Sequence, residues 1–196
     1  MPKSIRILAL MVGLYLLACA THDVFAQGQG PKPVIKEIQE IAADLEAGKD
    51  VTAKVKAFRK KHDDLDEVMH TYKPRMRGGV GVDPKADAKL DSLELRISRL
   101  ATKAALTAAA LKKEKELLLK AAYVNLAMAK ITLEYAPEKP KGGKGAKEWT
   151  KLTQDMEKGT KEMIDALKKE DPAALKKAAI EVNNACNTCH SDFRDA

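Results

Sequence analysis

Five consecutive residues, Cys186-Asn187-Thr188-Cys189-His190, concentrate the reactive side chains of this sequence. Two thiols three positions apart fall within one turn of a helix, and the imidazole that follows stands one full turn from Cys186. That spacing is the attachment motif of a c-type haem: Cys186 and Cys189 add across the porphyrin vinyl groups, and His190 ligates iron axially. Other chemistries compete for the same residues. A zinc site needs further ligands, and no second Cys or His pair lies at zinc-like spacing. A thioredoxin-like redox pair would accompany a βαβ pattern, which the sequence lacks. A disulfide between residues three apart would close too small a loop to stabilise much.

The elements that must position these residues begin after residue 26. Lys3 and Arg6 precede an apolar run from Ile7 to Ala20, and Val24-Phe25-Ala26 offers a small-residue cleavage site. The run is shorter than the roughly 20 residues a spanning helix needs. Residues 1–26 therefore read as an export signal, 27–33 as a flexible leader, and 34–196 as a single helical haem-binding domain. A periplasmic address agrees with the motif, since covalent haem attachment in bacteria is completed outside the cytoplasm. Leu16-Leu17-Ala18-Cys19 also has the form of a lipobox, which would make the chain a lipoprotein anchored to a membrane through Cys19. Either route spends Cys19, the third of 3 cysteines, so none remains for a structural disulfide.

Aromatic residues make up 4% and charged residues 32%, a mixture that suits amphipathic helices and starves a β-sheet. The formal charge is +7 and falls by one when residues 1–26 leave with Lys3, Arg6 and Asp23. A basic exported protein could meet an acidic partner or an anionic surface, but the charges are interspersed as on a solvated helical surface. No nucleic-acid motif is present, and no Ser/His/Asp or paired-carboxylate constellation supports hydrolysis.

Helical periodicity runs through the domain. Ile35, Ile38, Ala42 and Leu45 predict a first helix, stopped at Gly48. Asp50 caps a second stripe of Val51, Val55, Phe58, His62, Leu65, Met69 and Tyr72, with Asp64 able to restart it. Pro74, the loop Gly78 to Gly81 and Pro84 break the pattern. Leu90, Leu93, Ile97 and Leu100 predict a shorter helix. Thr107 caps the next, whose stripe is Leu117, Ala121, Val124, Met128, Ile131 and Tyr135 before Pro137. A Lys/Gly loop spans 138–147, and the following helix aligns Trp149, Leu152, Met156, Gly159, Met163 and Leu167. Gly159 there would admit either a close neighbour or a flat cofactor. Asp171 and Pro172 open the last helix, whose seam is Leu175, Ala179, Val182, Cys186, Cys189 and Phe193. Both cysteines thus lie on the face turned to the core.

A helical bundle whose last helix ends Cys-Asn-Thr-Cys-His-Ser-Asp-Phe-Arg resembles the cytochrome c′ family, through Cys186, Cys189, His190, Phe193 and Arg194. The resemblance implies an all-α antiparallel four-helix bundle, here with extra N-terminal helical segments, and one covalent haem c. It assigns the thioethers to Cys186 and Cys189, the proximal iron ligand to His190, and the basic neighbour of that histidine to Arg194. The stretch Val68-Met69-His70-Thr71-Tyr72-Lys73-Pro74-Arg75 with its glycine loop is also similar to exported haem proteins of planctomycete type.

The sixth iron position separates two functions. Family members with a methionine there shuttle electrons, and five-coordinate members bind nitric oxide or carbon monoxide. Met69, on the core stripe of an early helix, is the leading distal candidate; His70 and Met76 are alternatives, and an open site is the remaining one. Core filling is the competing role for Met69. Lys73 and Arg75 are candidates to neutralise the haem propionates. The sequence thus predicts a one-electron carrier, not an enzyme, that meets a redox partner protein. A homodimer is an option that the resemblance alone brings, since family members often dimerise through the early helices, and the N-terminal half of this chain departs from theirs. The alternatives are a gas-binding protein with an open site and a haem-free helical interaction module. Membrane association is expected only with lipidation at Cys19.

Overall fold

Pro33 opens the first helix at a position where its fixed φ and missing N–H cost nothing. The computed structural model describes residues 32–82, 91–140 and 143–194. The export signal, the lipobox and Cys19, Pro84 and Leu90 lie outside them. The described residues fall within one unit, Pro31–Ala196. The elements are α1 (Pro33–Glu46), α2 (Thr52–Lys61), α3 (Leu65–Met69), α4 (Leu93–Thr102), α5 (Ala108–Leu133), α6 (Ala146–Lys168) and α7 (Pro172–Cys189). Short 3-10 turns cover His70–Tyr72 and Arg75–Arg77, and a π-helical turn, His190–Arg194, continues α7. No β-strand occurs among the described residues. The fold is all-α, as composition and periodicity predict.

Local signals start and stop these helices where the sequence places them. α1 buries Val34, Ile35, Ile38, Ile41 and Ala42 and closes with Gly48 N–H on Leu45 O and Lys49 N–H on Asp44 O. Asp50 accepts from Thr52 N–H at 2.9 Å at the head of α2. The long stripe from Val51 to Tyr72 keeps its phase but not its continuity. α2 ends at Lys61, and Asp64 accepts from Asp66 N–H at 2.8 Å to start α3. His62 falls in the break, with its ring 4.5 Å from that of Phe58 and Nε2 3.4 Å from Glu37 Oε2.

α5, α6 and α7 follow one another as antiparallel neighbours. α4 packs on α7, while α1 and α2 pack on α5 as the extra N-terminal helices. The region before α5 therefore supplies a bundle helix rather than a loose flank. Thr107 caps α5 as predicted, accepting from Ala110 N–H at 3.2 Å. The single stripe expected along α5 understates its burial: every residue from Ala121 to Ala129 is buried, and Leu118 and Leu119 face inward while Leu117 is half-buried. A helix covered on several sides keeps no polar face from which its phase can be read.

The α6 face is as predicted, with Trp149, Leu152, Met156, Gly159, Met163 and Leu167 all buried. A Cβ on Gly159 would lie 2.9 Å from Val182 Cγ2 and 3.3 Å from Val182 N. The glycine thus serves the close approach of α6 to α7, the first of the two uses its position allows. An exposed helical Gly→Ala change gains about 1 kcal/mol from propensity. Gly159→Ala is expected to gain none of it, and Gly159→Val to cost about 2 kcal/mol by overpacking. Urea denaturation of both variants checks this. A Gly159→Val protein as stable as the parent would remove the close-approach argument.

The turn between α6 and α7 has no glycine. Glu170 takes φ 55°, and Glu170 N–H on Leu167 O with Asp171 N–H on Ala166 O closes a Schellman-type end.

Candidate functional site

α7 is fixed from its first residue. Asp171 Oδ1 accepts from Ala173 N–H and Ala174 N–H, each at 3.0 Å, and Pro172 occupies the first helical position. Leu175, Ala178, Ala179, Val182 and Ala185 are buried, and the same seam carries Cys186 and Cys189, both half-buried against the core. Beyond Cys189 the backbone widens into the π turn. Phe193 is buried there, with its ring edge-on to Trp149 at 5.0 Å and 81°. Trp149 Nε1 in turn donates to Thr132 O at 2.8 Å, so the turn is braced against α6 and α5. His190 is half-buried, and Arg194 Nη1 lies 3.2 Å from its Nδ1. Asp192 Oδ2 lies 3.6 Å from Lys144 Nζ.

Both cysteines are free thiols. Burial pushes Cys186 up to about 12, with the charge of Glu94 adding to it. Burial, with Asp192, raises Cys189 to about 11. Redox-active pairs work through a stabilised thiolate, typically at a helix N-terminus. These two thiols are held neutral at the C-terminal end of α7, where the helix dipole disfavours an anion. That counts against the thioredoxin-like use of the motif.

Around Cys186 the structure assembles residues from three other elements. Met156 Sδ of α6 lies 3.8 Å from Cys186 Sγ and 3.8 Å from Tyr72 Oη. Tyr72 donates to Asn125 Oδ1 at 2.8 Å, Asn125 Nδ2 donates to Thr160 Oγ1 at 2.6 Å, and Thr160 donates to Met156 O at 2.7 Å. Asn125 is 1% and Thr160 0% exposed. Burial holds the Tyr72 phenol well above its ordinary range, and the charge of Glu94 pushes it the same way.

The Tyr72 segment is tied down from outside the bundle core. Ser92, which also caps α4, donates to Tyr72 O at 2.8 Å. The side chain of Asp91 has no exposed surface; it accepts from Arg75 Nη2 at 2.8 Å, Arg75 N at 3.1 Å and Val82 N at 3.0 Å. Val80 N–H reaches Thr71 O at 3.1 Å. A Cβ on Gly79 would stand 1.7 Å from Lys73 O, so only glycine lets the loop fold back this tightly.

The structure therefore brings Cys186, Cys189, His190 and Arg194 together on one helix end. Met69 is half-buried against the core at the end of α3, three residues before Tyr72. His70 lies half-buried with Nε2 3.5 Å from Asp66 Oδ2. Met76 is 77% exposed, and Lys73 is half-buried. Arg75 is engaged by Asp91, so the carboxylate it meets belongs to this chain. Met128 and Met163 are buried core, as their phase predicts. The pattern overlooked Asn125, Thr160 and Asp91, and it took Tyr72 and Met156 for core filler. Asn125 carried a signal: it is the one amide in the apolar run from Ala121 to Ala129.

The residues present fit a haem in their chemistry. Two neutral thiols one turn apart, an imidazole at the following position and a guanidinium beside that imidazole make up the donor set such a ring requires. No curated protein and no solved structure matches this chain significantly. Residues 136–194, which hold α6, α7 and the π turn, match the family described as Cytochrome C'. The segment that carries the candidate site is accordingly similar to the corresponding part of cytochromes c′, haem proteins of the electron-carrying or gas-binding kind.

Proposed function

We propose that this protein is an exported monohaem c-type cytochrome that carries one electron at a time. Cys186 and Cys189 hold the ring through thioethers, and His190 is the proximal ligand. When bound, the haem supplies a one-electron ferric/ferrous couple. The chain's residues orient it, shield it from water on the α6 side and neutralise its surroundings, with no bond chemistry of their own. The observation that carries this reading is the position of Met69. Met69 is half-buried against the core at the end of α3, three residues along the chain from Tyr72, which shares Met156 with Cys186. A thioether that reaches the iron can ligate it without burying a charge and raises its potential.

Lys144 and Arg194 set two positive charges against Asp192 at the π turn, so an acidic redox partner suits this end of the bundle. The protein is periplasmic on this reading, or anchored through a lipidated Cys19, and homodimers remain within it.

Absorption spectra of the purified protein, oxidised and reduced, with and without carbon monoxide, test the reading. Split low-spin bands, a weak far-red methionine-to-iron band when oxidised, and no response to carbon monoxide are expected. Met69→Ala is expected to abolish the far-red band and to admit carbon monoxide. A parent that is high-spin and shifts on adding carbon monoxide establishes the second reading, a gas-binding protein. The observation favouring that alternative is Tyr72: the side chain that bonds Asn125 and touches Met156 beside Cys186 is a phenol, not Met69.

A further inference from the structure

We infer that Tyr72, aimed by Asn125 and Thr160, sets the redox balance of the haem by turning the oxygen end of its hydroxyl dipole toward the edge held by Cys186. The inference rests on haem attachment at Cys186, and it holds whether the sixth position is filled or open.

The direction of the hydroxyl follows from the chain of hydrogen bonds. Thr160 has one hydroxyl proton and gives it to Met156 O at 2.7 Å. Its oxygen therefore accepts from Asn125 Nδ2 at 2.6 Å. That orients the amide so that Oδ1 faces Tyr72, and the single phenolic proton goes to Oδ1 at 2.8 Å. The phenol oxygen keeps its lone pairs for the other side, where Met156 Sδ and then Cys186 Sγ follow at 3.8 Å each. Asn125 and Thr160 are too buried for water to offer the amide another partner. The Tyr72 backbone is held by Ser92, and the Asp91 contacts fix the loop behind it. Burial also keeps the phenol neutral, so it acts through a fixed dipole rather than a charge.

A dipole whose negative end faces the haem stabilises the ferric state, which carries one more positive charge than the ferrous. Removing the hydroxyl removes that preference. Removing Asn125 instead frees the phenolic proton to turn toward Met156 and the Cys186 edge, which reverses the dipole.

The test is a spectrophotometric titration of the haem-loaded protein against a one-electron redox dye. One electron leaves the reduced dye and enters the ferric haem; no bond forms or breaks and no proton moves. Tyr72→Phe is expected to shift the equilibrium toward the reduced protein by about fivefold. Asn125→Leu is expected to shift it further in the same direction, and the double variant to return to the Tyr72→Phe value. That non-additivity is something a merely structural role would not produce. Should Asn125→Leu fail to fold, the near-isosteric Thr160→Val releases the same amide and is expected to shift the equilibrium the same way. A haem-loaded Tyr72→Phe protein with an unchanged equilibrium overturns the inference, as does a double variant that shows the sum of the single shifts. The carbon monoxide response of the parent decides the carrier reading separately, so the two failures are distinguishable.

Discussion

Cys186→Ala/Cys189→Ala is expected to yield protein with no covalently held haem and a melting temperature about 10 °C below the parent, a loss of about 3 to 4 kcal/mol. Haem staining after denaturing electrophoresis reads the first effect and a thermal scan the second. The reasoning starts from Cys186, whose thiol touches Met156 and lies on the seam of α7. A ring bonded there adds apolar area to the α6–α7 contact and engages His190 as its ligand, and a covalent link keeps it present at any concentration. With both sulfurs gone, a haem must bind by ligation and burial alone. Cys189→Ala alone leaves one thioether and should fall between the two. A parent that holds no haem, or a double variant that melts with the parent, would sink the attachment reading and return the chain to a haem-free helical module.

Asp91→Ala is expected to cost about 4 kcal/mol, because it strips the acceptor from a buried, charge-assisted cluster and leaves its donors behind. Those donors include two backbone N–H groups of a loop that has no regular ladder of its own, and the Arg75 guanidinium. Asp91→Asn keeps one acceptor oxygen but sets an amide against Arg75, so about half of that loss is expected. Guanidinium denaturation gives the magnitude. Limited trypsin digestion gives the location: cleavage after Arg75 or Arg77 should accelerate before the rest of the chain becomes susceptible. An unchanged denaturation midpoint in Asp91→Ala would show that the loop is held by other contacts.

The parts of the fold that were legible in the sequence are those decided locally. Asp171-Pro172, Thr107 and Asp64 each act on the next three residues, and each caps the helix it was expected to cap. The spacing of Cys186, Cys189 and His190 is likewise local, and the phase of α7 was enough to bring Phe193 inward. What was not legible depends on segments meeting across the bundle. The approach of Tyr72 to Met156 and Asn125 comes from the loop folding back onto the head of α4, which no periodicity encodes. Arg75 looked available for a propionate because its carboxylate partner, Asp91, sits on the far side of a loop. The end of α6 escaped notice for another reason. Its left-handed residue is Glu170, where a glycine would have announced the turn.

The order of the helices along the chain has a kinetic consequence. α5 packs against α6 and α6 against α7, whereas α1 reaches across to α5 and α4 to α7. Contacts between sequence neighbours close with little loop entropy and form early, and distant ones follow. The three-helix unit that presents Cys186, Cys189 and His190 can therefore take shape while the Tyr72 loop is still open. That leaves an interval in which the thiols can be reached from the side that Asp91 and Ser92 later help to close.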